Sequence, residues 1–61
     1  PAYLWNALEV ACRAPLAALE VFRLIGALTE QLGEERVRQR VLNEDAYGPA
    51  RVAFDRPVSV N

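Results

Sequence analysis

Between residues 16 and 32 the chain is apolar around most of a helical circumference. Leu16, Leu19, Val21, Phe22, Leu24, Ile25, Leu28 and Leu32 leave only a narrow stripe of Glu20, Arg23, Ala27 and Glu30, spaced three or four apart. That spacing predicts a helix, and such a helix needs cover on more than one side. Pro15 bears on where it starts. Inside one long helix over 3–32 the proline would remove a hydrogen bond and clash with the preceding turn, at about 3 kcal/mol or more. At the first helical position its missing N–H is no loss and its fixed φ suits the turn. A helix over 15–32 is therefore expected, with Gly33 as the glycine that follows the last turn. Gly26, inside it, reads as a close-packing position.

The flanking patterns are less decided. Residues 2–10 carry no helix cap and open with Tyr3-Leu4-Trp5, which suits a short buried strand, although Ala7, Leu8 and Glu9 are good helix formers. Over 37–44, Val37 and Val41 stand four apart as on a helix. Strict alternation also puts Val37, Gln39, Val41 and Asn43 on one strand face and Arg38, Arg40, Leu42 and Glu44 on the other, so both readings stand. Tyr47-Gly48-Pro49 reads as a turn. Arg51-Val52-Ala53-Phe54 and Val58-Ser59-Val60, around Asp55-Arg56-Pro57, read as a small hairpin.

Size raises the question of stability. Sixty-one residues make one domain, and a chain of that length buries only about 60% of the surface it exposes when unfolded. Domains so small usually need a disulfide, a metal or a partner subunit. A single cysteine and no histidine exclude an internal disulfide and a Cys/His zinc site. Oligomerisation remains, and the 52% hydrophobic content fits apolar faces shared between subunits. Cys12 reads as a small buried hydrophobe. A net charge of −1 argues against nucleic-acid binding by charge. Glu9, Arg13, Glu20 and Arg23 interrupt the apolar half, so no transmembrane helix is expected, no signal-peptide pattern is seen, and a cytoplasmic location is the default expectation. All seven basic residues are arginines, the better residue for forked carboxylate recognition.

Taken as a free N-terminus, Pro1 would carry a secondary amine. An α-amine titrates near about 7.7–8.0, and an apolar site lowers that value towards the range useful to a general base. An order of strand, helix, strand and short hairpin on some sixty residues beginning with Pro1 resembles the tautomerase superfamily, in particular the short 4-oxalocrotonate tautomerase subunits. Arg13-Ala14-Pro15 is similar to that family's helix entry, with Cys12-Arg13-Ala14 in place of the usual Gly-Arg-Ser/Thr. Leu28-Thr29-Glu30-Gln31-Leu32-Gly33, then Arg36-Val37-Arg38 with Glu44, are similar to its helix exit and second strand. The family's glycine-rich turn is reduced to Tyr47-Gly48-Pro49.

The resemblance implies an α+β fold: a β-α-β subunit over 1–61 with a short C-terminal hairpin, assembling through dimers into a homohexamer, or into a heterohexamer with a related chain. It also implies a tautomerase that moves a proton in a small enol or unsaturated keto acid. Pro1 would be the general base and Arg38 the cation facing the developing enolate, while Arg13 and Tyr47 would bind the carboxylate substrate. No cofactor, metal, nucleic acid or membrane is called for.

The residues alone support plainer readings of the same positions. Arg13 can solvate a helix end, Arg38 and Arg40 with Glu34, Glu35 and Glu44 make a solvated charged face, and Tyr47 can pack over a turn. The alternative fold is an all-α helical hairpin, with a kinked helix over 3–32 and a second over 34–44. Such a hairpin would dimerise through its broad apolar face as a non-enzymatic interaction module. A third possibility is a silent subunit of a tautomerase-like hetero-oligomer.

Overall fold

The computed structural model describes residues 1–55. Among them the chain is all-α, with no strand. Helix α1 covers Ala2–Arg13, α2 Ala18–Leu32 and α3 Glu34–Asn43, and a 3₁₀ segment follows over Asp45–Phe54. The expected β-α-β subunit is thereby corrected.

Residues 2–10 are helix, not strand. The residues α1 buries, Leu4, Trp5, Leu8 and Ala11, recur at the spacing of one helical face, and the aromatic start at Tyr3 and Trp5 is split between the outside and the core. The carbonyl of Pro1 accepts the N–H groups of Leu4 at 3.2 Å and Trp5 at 3.4 Å, closing the first turn. Pro15 acts one element earlier than its sequence context suggests. The residue before a proline is pushed out of the helical region by the ring. Ala14 is accordingly extended at φ −88°, ψ 130°, and α1 stops at Arg13. The proline then lies in the link, and α2 starts at Ala18, not at Pro15.

The far end of α2 falls where the pattern places it. Gly33 takes φ +92°, a region that side chains rarely enter, so the chain turns in one residue from α2 into α3. Its N–H donates to the carbonyl of Thr29 at 2.8 Å, and its own carbonyl accepts from Val37 at 3.2 Å. Over 34–43 the helical reading holds: Val37 and Val41 are both fully buried, as an i, i+4 pair on one face should be. Glu34 and Glu35 occupy the first turn and Arg40 the last, the signs that suit the helix dipole.

Residues 51–54 are 3₁₀, not hairpin, and the second expected strand, Val58-Ser59-Val60, lies outside the described residues. The 3₁₀ segment bends at Tyr47 (φ −107°, ψ 22°), which suits a conformation that rarely persists for more than one turn. Tyr47 and Ala50 are its buried residues, three apart, and residues at that spacing eclipse in a 3₁₀ helix. The segment packs on α1, α2 and α3.

Every residue of the core is apolar except for the phenol of Tyr47: Leu4, Trp5, Leu8, Ala11, Val21, Ile25, Leu28, Val37, Val41, Tyr47 and Ala50. Leu8, Leu28, Val37 and Val41 are its largest fully enclosed side chains. Trp5 ties three elements together. Its ring meets that of Tyr47 at 5.2 Å between centroids, tilted by 53°, and the Arg40 guanidinium lies over it at 4.4 Å, a cation–π contact. Arg51 of the 3₁₀ segment reaches back to the end of α3 and donates to the carbonyls of Val41 and Glu44, each at 3.3 Å. The Val41 carbonyl is one that a helix terminus leaves without an internal partner, while that of Glu44 also accepts the Tyr47 N–H at 3.2 Å.

Candidate functional site

The four residues singled out by the tautomerase resemblance do not form one cleft. Pro1 lines an open groove of about 360 Å³ with Ala2, Trp5, Leu32, Arg36 and Arg40. Arg13 closes the other end of α1, roughly 18 Å away at 1.5 Å per residue, and pairs with Glu9 at 2.7 Å. Arg38 bonds to Glu35 on the surface of α3. Being two residues from both Arg36 and Arg40, it faces away from the groove they line. Tyr47 is buried against Trp5, the packing role. The structure thus gathers Pro1 and Tyr47 around Trp5 and leaves Arg13 and Arg38 elsewhere.

The titratable groups follow the same division. Burial pushes the Cys12 thiol up, only partly offset by a backbone hydrogen bond from Ala50, so Cys12 stays a neutral thiol and behaves as a hydrophobe. Burial likewise raises the Tyr47 phenol, with Arg40 opposing and the nearby Glu44 and Glu9 adding to the rise. Glu35 is held below its usual value by the Gln39 side chain and by Arg38.

What the structure does gather is exposed apolar surface. Leu16 is 98% exposed, Leu19 74%, Phe22 48%, Leu42 48% and Val52 57%. The two ends of this set meet at Val52. On one side Val52 and Phe22 stand at the rim of a cleft of about 140 Å³ floored by Ala11, Cys12, Pro15, Ala18 and Pro49. On the other, Val52 and Leu42 share a second open groove with Arg51 and Phe54. Leu19 precedes Phe22 by one turn of α2, and Leu16 lies in the link before it. A band therefore runs from Leu19 through Phe22 and Val52 to Leu42, with Leu16 exposed in the link just before it. Its cleft exists because Pro15 breaks the helix and because the residues around the break, Ala11, Ala14, Ala17 and Ala18, are too small to fill it.

Leu16, Leu19 and Phe22 belong to the apolar circumference legible in the sequence, and among the described residues they stay exposed. Leu42 and Val52 are not marked as surface residues in the sequence, because 37–44 reads as strand or helix and Val52 falls in the expected hairpin. The signal that could have found the band was the same excess of apolar positions over what a single small core can hold. Beside it on α2 lies a flatter strip: Gly26 carries no side chain, and a Cβ built there meets nothing within 4 Å, while Arg23 and Glu30 flank it in the open.

No match is found among known family models, curated proteins or solved structures. Among the described residues no helix is long and apolar enough to cross a membrane.

Proposed function

We propose that this chain is a non-enzymatic helical module that works by self-association, docking its exposed apolar band on a second copy of the same chain. The observation that carries the reading is that band: five large exposed apolar side chains from the link, α2, α3 and the 3₁₀ segment, with Phe22 and Leu42 meeting at Val52.

Magnitudes favour covering it. Weighted by exposure, the five side chains amount to about three fully exposed ones, and each is worth roughly 1.5–3 kcal/mol when buried. Two copies that cover each other's band gain roughly 10–20 kcal/mol, against an association cost of about 4–15 kcal/mol. A second copy also meets no charge penalty. Beside the band Glu20 pairs with Arg23 and Asp45 with Arg51, Asp55 shares the Leu42 groove with Arg51, and the chain's net charge is −1. Finally, a fold of this length with a core of eleven residues gains stability from a partner by mass action.

Sedimentation equilibrium across the micromolar range tests the reading. The wild-type chain is expected to pass from monomer to dimer or a dimer-based assembly. Val52→Asp, which puts a carboxylate at the junction of the two grooves, is expected to stay monomeric while keeping its helical circular dichroism. A wild-type chain that remains a folded monomer to millimolar concentration would sink the proposal.

A further inference from the structure

The exposed face of α2 carries a charge and shape pattern that is complementary to itself in only one orientation. Resting on the self-association reading, we infer that two copies pair through an antiparallel, two-fold crossing of α2 on α2 centred at Gly26. Three observations lead there. Gly26 sits on the open side of the helix with nothing near its missing side chain, although an exposed glycine inside a helix is unfavourable. Its absence of a Cβ leaves a notch where another backbone can approach closely. One turn before the notch stand Phe22 and Arg23, and one turn after it stands Glu30.

In an antiparallel crossing at Gly26, positions one turn before the centre in one copy meet positions one turn after it in the other. Arg23 then faces Glu30 of the second copy, and by symmetry the pair forms twice. A parallel crossing in register would set Arg23 on Arg23 and Glu30 on Glu30, which is repulsive. Both partners are available for the pairing. Within the subunit Arg23 makes only a loose 3.7 Å contact with Glu20, with its side chain 71% exposed, and Glu30 takes part in no ion pair among the described residues. Phe22, half exposed, stands beside the notch on the side of the apolar cleft that it rims with Val52, so the same crossing lays Phe22 and Leu19 of each copy against the C-terminal half of α2 of the other.

Charge reversal on the full chain tests this orientation separately from association itself. Arg23→Glu alone and Glu30→Arg alone each turn two attractive contacts into two repulsive ones, and each is expected to weaken the dimer by about ten-fold or more at low salt, since exposed pairs contribute a few tenths to 1 kcal/mol apiece. The double variant restores the pairs in reversed sense and is expected to return within about three-fold of wild type. Both positions are on the surface, and circular dichroism of dilute samples checks that the monomers stay folded. A wild-type dimer whose affinity ignores the single reversals, or whose double variant is weaker than either single one, would overturn the antiparallel crossing and leave self-association standing. A wild-type chain that never dimerises overturns both.

Discussion

Gly26→Ala should move folding and association in opposite directions, and that separation is the sharpest consequence of the structure. In the single subunit the added methyl meets nothing within 4 Å, and the position lies in the middle of α2, exposed and helical. Replacing glycine by alanine at such a site removes backbone freedom from the unfolded chain and favours the helix by about 0.5–1 kcal/mol. At roughly 4–8 °C per kcal/mol for a domain of this size, the melting temperature of a dilute, monomeric sample should rise by several degrees. In the proposed dimer two new methyl groups meet at the crossing, where the separation of the helices depends on the side chains at the contact. Overpacking of that kind costs about 1–3 kcal/mol, which corresponds to roughly 5- to 150-fold in dissociation constant at 1.4 kcal/mol per decade. Thermal melts followed by circular dichroism at low micromolar concentration give the first quantity, and sedimentation equilibrium of the same variant gives the second. A variant that is stabilised yet dimerises as tightly as wild type would refute the crossing at Gly26. One that melts lower in dilute solution would refute the exposed, uncrowded environment of the glycine itself.

Other expectations rest on the subunit alone. Leu28→Ala empties a fully enclosed site at a cost of about 2–5 kcal/mol, comparable to the roughly 3–9 kcal/mol available to a chain of this length, so urea titration should find the dilute variant largely unfolded; a cooperative transition near the wild-type midpoint would contradict the core described here. Arg51→Ala removes the two hydrogen bonds that close α3 and hold the 3₁₀ segment to it, and should lower the urea midpoint by the equivalent of about 1 kcal/mol, whereas an unchanged midpoint would show those bonds to be idle. Alkali should destabilise the fold. Cys12 and Tyr47 are both raised by burial above their ordinary values of 9.0 and 10.0, so their contribution is complete below those values. It is lost as the pH climbs towards the folded ones, because the unfolded chain releases both protons first. Tyr47→Phe should flatten that alkaline decline in urea midpoints measured from pH 8 to 11, and an equal slope in both proteins would exclude the phenol as a cause.

The local signals that proved legible in the sequence are those that act within a few residues. Gly33 ends α2 because only the backbone conformation of a glycine passes easily through φ +92°, and Val37 with Val41 mark one buried face because four residues span one helical turn. Pro15 was equally visible as a break, but its own chemistry is two-sided. It favours the start of a helix and forbids the end of one from continuing, and only the packing of α1 against α2 and the 3₁₀ segment made the second effect the operative one. Residues 2–13 could not be assigned from their aromatic start, because Tyr3 and Trp5 suit a strand as well as a helix until Leu8 and Ala11 are seen to join Leu4 and Trp5 on the same core. The tautomerase resemblance rested on that strand and on a second over 37–44, so it lost its scaffold together with them. The band of exposed apolar residues was decided by the tertiary structure alone. Periodicity states which side chains share a face of a helix, and it placed Leu19 and Phe22 among the apolar majority of α2. Which part of that majority a subunit can cover depends on how much surface the other elements bring to it. Among the described residues α1, α3 and the 3₁₀ segment cover Val21, Ile25 and Leu28 and leave Leu19 and Phe22 in the open.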